Sequence, residues 1–111
     1  MTVLIVSAES EGMPATDTTV YTAPSTVKWA QIVSGTCANV TTATTLTVNV
    51  VQSGGSVAAT NEYIPTVTIN QDDSNPLDEL IGTPLMPGDF VSVIAGDATR
   101  LNFKIGVKEV S

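Results

Sequence analysis

The chain has 111 residues, enough for one domain with a modest core, so size alone demands neither a disulfide nor a metal. Its net charge is −7, with four basic residues against eleven acids, which argues against a phosphate-backbone partner. Histidine is absent, which removes the usual general base and the commonest zinc ligand. Only 14% of residues are charged, while 17 Thr and 15 Val favour strands whose polar faces are built from neutral side chains.

The pattern is short strands between turn clusters. Thr2 to Ser7 is a compact apolar run and reads as a first strand. With no basic flank and so short an apolar stretch, it does not read as a signal peptide. Glu9 to Thr16 holds Gly12 and Pro14 and reads as a loop. Asp17 to Thr22 is a second strand, closed by Ala23-Pro24. Thr26 to Ser34 is a third, and the phase shift between Trp29 and Ile32 suggests a bulge. Gly35 to Thr42 reads as a polar connection carrying Cys37 and an Asn39-Val40-Thr41 sequon, taken as a chance match. A lone cysteine in a chain without histidine reads as a small apolar side chain rather than a nucleophile.

Thr44 to Gln52 alternates most clearly, with Leu46, Val48 and Val50 on one face and Thr45, Thr47 and Asn49 on the other. Ser53-Gly54-Gly55-Ser56 is a turn. Val57 to Thr60 begins the returning strand, and Tyr63 to Asn70 continues it, with Pro65 tolerated at an edge or bulge. Gln71 to Pro76 is a polar turn, and Asp78 to Ile81 a short strand or one helical turn. Pro87-Gly88-Asp89 turns the chain into a strand over Phe90 to Ala95, and Gly96 to Thr99 turns it again. The last strand, Leu101 to Val107, puts Leu101, Phe103, Ile105 and Val107 on one face, and Asn102, Lys104 and Lys108 on the other. About eight strands at regular spacing predict a single all-β domain over residues 1–111. The expected form is an antiparallel sandwich, jelly-roll or Greek-key in type.

No catalytic set emerges, and the expectation is a protein that is not an enzyme and takes no cofactor. Ser53 and Ser56 have no base in reach, and Gly54-Gly55 is followed by neither lysine nor a helix. Asp72, Asp73, Asn75, Asp78 and Glu79 form the densest acidic cluster, but their spacing matches no EF-hand. An exposed loop or a protein contact suits them better than calcium. Trp29, Phe90 and Phe103 read as core, while Tyr21 and Tyr63 are freer to be exposed at an interface. The candidate protein-binding residues are therefore Tyr21, Tyr63, Asp72, Asp73, Asp78, Glu79, Arg100, Lys104 and Lys108.

Several segments together suggest a family. Val20-Tyr21-Thr22-Ala23-Pro24, the run Trp29 to Ser34, and Leu46 to Val51 followed by Gln52-Ser53-Gly54-Gly55 resemble small virion proteins of tailed phages. Leu80-Ile81-Gly82, Leu85, Pro87-Gly88-Asp89, Phe90-Val91-Ser92-Val93 and Gly106-Val107 extend the match over most of residues 17 to 110. These motifs are structural signals, not chemical ones. The chain is similar to the capsid staple, or cement, proteins of short-tailed phages related to the Salmonella phage epsilon-fifteen. That resemblance implies a jelly roll on the outer capsid surface, made in the host cytoplasm, contacting the major capsid protein and acting as a homodimer. It carries over no active-site residue. The alternative is a receptor- or carbohydrate-binding module of a tail fibre or baseplate, since fold does not decide function.

Overall fold

The computed structural model describes residues 2–111. The β-branched segments form nine strands: β1 (Val3–Ser10), β2 (Thr18–Thr22), β3 (Trp29–Asn39), β4 (Thr44–Val51), β5 (Glu62–Ile69), β6 (Asp73–Asn75), β7 (Pro84–Leu85), β8 (Phe90–Ala95) and β9 (Leu101–Val110). The helical content among the described residues is one 3-10 turn, Ala59–Asn61. One sheet runs β1-β9-β3-β6, with β7 also paired to β3, and the other runs β2-β8-β4-β5. Every pairing is antiparallel. The chain alternates between the sheets from β1 to β4, pairs β5 with β4 in the second sheet, and returns to the first through β6 and β7, which gives the strand order of a jelly roll.

The core lies between the sheets. From the first sheet come Ile32, Cys37, Leu101, Phe103, Ile105 and Val107; from the second come Leu46, Val48, Ile64, Ile69, Val91 and Val93. Met13, in the loop between β1 and β2, is wholly buried and closes one end. Its N–H donates to the Leu101 carbonyl, and its own carbonyl accepts from Thr99 N–H.

Several local expectations need correction. Residues 35–39 are not a connection but the second half of β3, paired with Leu101 to Ile105 of β9. Gly35, Cys37 and Asn39 take the inward positions there. A Cβ on Gly35 would lie 2.9 Å from Leu77 Cδ1, so the glycine that reads as a turn is the room Leu77 needs. The β3 bulge falls at Val33, between Ile32 and Ser34. Trp29 and Ile32 therefore differ in phase because they lie on opposite faces before the bulge.

Residues 57–60 do not begin a strand either. Asn49 Nδ2 donates to the Ala58 carbonyl and to Asn61 Oδ1, and Asn61 Nδ2 donates to the Ser56 carbonyl. These bonds fold the segment into the 3-10 turn. Within the expected turn at 71–76, Asp73–Asn75 pairs with β3. Of the two forms expected for Asp78 to Ile81, a short strand or one helical turn, the segment takes a turn, with Leu80 N–H donating to the Leu77 carbonyl. Pro65 sits on the edge strand β5 where the register against β4 slips, both an edge and a bulge.

Candidate interaction surfaces

The residues singled out from sequence do not converge on one site. Tyr21 is a correction: it is buried, and its hydroxyl donates to the Glu109 carboxylate at 2.5 Å, joining β2 of one sheet to β9 of the other. A phenol with a carboxylate acceptor can be buried because its one polar atom is satisfied. Desolvation first, then the hydrogen bond and charge of Glu109, push the Tyr21 hydroxyl well above its ordinary value of 10.0. A raised folded-state value means this contribution is complete below about pH 10 and is lost as the pH rises further. Tyr21→Phe is therefore expected to cost about 1–2 kcal/mol at pH 7. It should also show a shallower loss of stability above pH 10 than the wild type, which urea unfolding at pH 7 and 10.5 would check.

Asp72, Asp73, Asp78 and Glu79 are exposed along the β6 margin of the first sheet. Among the described residues, no three acidic or cysteine side chains come together as a metal-binding group. Arg100 is half-buried and engaged locally, donating to the Ala43 carbonyl and to Asp97 Oδ2, both at 3.2 Å. Tyr63 stands half-exposed on β5 beside a hollow of about 460 Å³ that Gln52, Ser56, Asn61 and Asp89 also line. An aromatic ring among polar groups could in principle hold a sugar. However, Asn61 is spent on its own loop, and Asp89 accepts from the backbone N–H groups of Ser53 and Met86. The hollow therefore has few free groups with which to read a ligand.

Lys104 and Lys108 do share a surface, the outer face of the first sheet. Cross-strand pairing places Glu9 and Thr36 beside Lys104, and Ile5 and Gln31 beside Lys108. Between the two lysines lies Gly106, flanked by Ser7 and Ser34. The missing side chain leaves a shallow trough of about 380 Å³ walled by Ile5, Ser7, Thr36 and Lys104.

Sequence reasoning missed the apolar members of this face. Trp29, expected in the core, is 36% exposed and points outward, with Lys108 Nζ 5.1 Å from its ring centroid. Val3, Ile5 and Val33 are exposed as well, Ile5 at 61%. The signal was present in Val3-Leu4-Ile5-Val6, which is apolar on both faces although a strand covered on one side needs only one. Cys37, by contrast, is wholly buried, and burial pushes its thiol up to about 12, so it is no nucleophile at neutral pH.

No family model matches this chain, and no curated protein does. Among solved structures, it is similar to one of Bacillus endospore appendages, described as a family of disulfide-linked pili. The TM-score is 0.54 and the identity 18%, over 99% of this chain and 88% of that one. At that identity the likeness shows the fold alone.

Proposed function

We propose that this protein is a non-enzymatic structural module that packs its outer β1-β9-β3 face against other protein subunits. Following the resemblance of its sequence to phage staple proteins, we further propose that those subunits form the outside of a capsid shell. The observation that carries the reading is the makeup of that face. Val3, Ile5, Trp29 and Val33 stand exposed beside Lys104, Lys108 and the Gly106 trough. Elsewhere, among the described residues, no fully buried side-chain nitrogen or oxygen lacks a hydrogen-bond partner. Apolar and aromatic side chains edged by a few cations suit a protein interface, where the apolar part supplies affinity and the charges set register. The sugar-binding alternative is less well supported, because Lys108 lies over the Trp29 ring and the polar groups beside Tyr63 hold their own loops.

A ligand that binds only the assembled state stabilises it by about 2.7 kcal/mol per site at a hundredfold excess over its dissociation constant. Repeated over a shell, such increments would oppose the outward pressure of a packed genome. Particles carrying the protein are therefore expected to release DNA at a higher temperature than particles without it. Reversing both charges, Lys104→Glu with Lys108→Glu, should weaken co-sedimentation with shells at least tenfold. The cost to folding should be about 1 kcal/mol or less, from the exposed cation–π contact. Equal release temperatures at full occupancy, with loss of host attachment when the protein is removed, would replace this reading with a receptor-binding module.

A further inference from the structure

We infer that two copies of this chain join edge to edge through β1, extending the first sheet across a two-fold axis. The resemblance to staple proteins implies a homodimer, and the edge geometry supplies its interface independently of the capsid reading. It begins with how the four sheet margins are finished. β6 has three residues, β2 has five with a register slip, and β5 carries Pro65 and two slips. Such devices keep an edge from pairing with another chain. β1 has none of them. It runs eight residues in unbroken register with β9, without proline, lysine or arginine. Its start is apolar, with Val3, Leu4 and Ile5 each more than half exposed.

The backbone phase shows what the edge offers. Thr2 and Ser111 exchange both N–H···O bonds, at 3.0 and 2.9 Å, so they form a hydrogen-bonded pair. Antiparallel alternation then turns Leu4, Val6, Ala8 and Ser10 towards β9. The N–H and C=O groups of Val3, Ile5, Ser7 and Glu9 are left pointing at the open edge. This row is self-complementary. A two-fold axis at Val6 sets Val3 against Glu9 of the second copy and Ile5 against Ser7, and the same pairs repeat in reverse. Four hydrogen-bonded pairs would exchange about eight bonds, within the range of a specific protein interface.

The side chains agree with that register. On the inward side, Leu4 meets Ala8 of the second copy and Val6 meets Val6, a continuous apolar cross-strand row. Glu9, the one charged residue of β1, falls at opposite ends of the joint in the two copies, about 20 Å apart, well beyond screening range. The acidic side chains at the β6 margin lie across the sheet from β1, more than about 30 Å from their counterparts in the second copy. Pairing at β1 thus brings together two chains of net charge −7 along an edge that carries little of it.

Sedimentation velocity on the full chain, from micromolar to hundreds of micromolar, tests this. A reversible dimer is expected, and on dilution the amides of Val3, Ile5, Ser7 and Glu9 should lose hydrogen-exchange protection. Ser7→Pro deletes an outward N–H without touching the β9 ladder, and should weaken dimerisation at least tenfold with little change in thermal unfolding. Should that variant fail to fold, Ile5→Glu decides, because it alters an exposed position, faces Lys108 within its own chain and sets like charges beside the axis. A monomer throughout the concentration range would overturn the inference. So would a dimer whose affinity survives the folded variants, or one in which those four amides stay unprotected.

Discussion

Phe103→Asp is expected to leave the chain unfolded at 25 °C, and Phe103→Ala to cost about 3–5 kcal/mol. Phe103 is wholly buried at the middle of the first sheet, on β9 between β1 and β3. Its cross-strand neighbours are Ser10 and Cys37. Neither can compensate a carboxylate, and Lys104, the next residue, points to the opposite face. Domains of this size hold about 5–15 kcal/mol in total, so removing the ring spends a large part of it. Burying an unpaired charge as well exceeds the remainder. Urea unfolding followed by circular dichroism measures the alanine variant. A cooperative Phe103→Asp transition within about 1 kcal/mol of wild type would show that this ring is not the core element its burial implies.

Phe103 was legible in the sequence because Leu101, Phe103, Ile105 and Val107 alternate with polar residues, so only one phase can face inward. The same reasoning placed β4, β8 and the turns after them, and it put Lys104 and Lys108 outside. It failed where a strand lacks that contrast. Val3-Leu4-Ile5-Val6 is apolar on both faces, so alternation does not separate the covered side from the open one. The outward direction of Trp29 follows from Ala30 and Ile32 taking the inner positions, while the bulge that resets the phase lies at Val33. The burial of Tyr21 depends on Glu109, 88 residues away, and no local pattern carries that partnership. The acidic cluster is exposed, as expected, and topology sets β3 between it and the lysines of β9. Periodicity thus reports the covalent neighbourhood well, and is silent wherever long-range pairing decides which face meets water.

Asn39 is the position where that silence matters most, and its replacement should have an effect that sequence reasoning would not anticipate. A sequon asparagine within an apparent loop invites substitution, yet Asn39 is wholly buried at the end of β3. Its Nδ2 donates to the carbonyls of Thr42 at 3.0 Å and Ile69 at 2.9 Å, and its Oδ1 accepts from the N–H and hydroxyl of Thr41. The bond to Ile69 ties the end of one sheet to β5 of the other. Asn39→Ala is expected to cost about 1–3 kcal/mol, since the hydrogen bond to the Ile69 carbonyl is lost in the interior, where water does not replace it, while the Thr41 and Thr42 groups can reach water. Asn39→Asp, nearly the same shape, should cost more at pH 7, because it aims a carboxylate at two carbonyl oxygens. That environment raises the folded-state pKa of the introduced acid above the ordinary carboxylate value of about 3.9. The native state then holds the proton more tightly than the unfolded chain, so stability is greatest at low pH and falls as the pH rises. Urea unfolding at pH 4 and pH 7 should therefore show the aspartate variant regaining part of its deficit in acid, relative to the alanine variant at the same pH. Equal stability of the two variants at both pH values, or either variant within about 0.5 kcal/mol of wild type, would mean that this network does not hold the two sheets together.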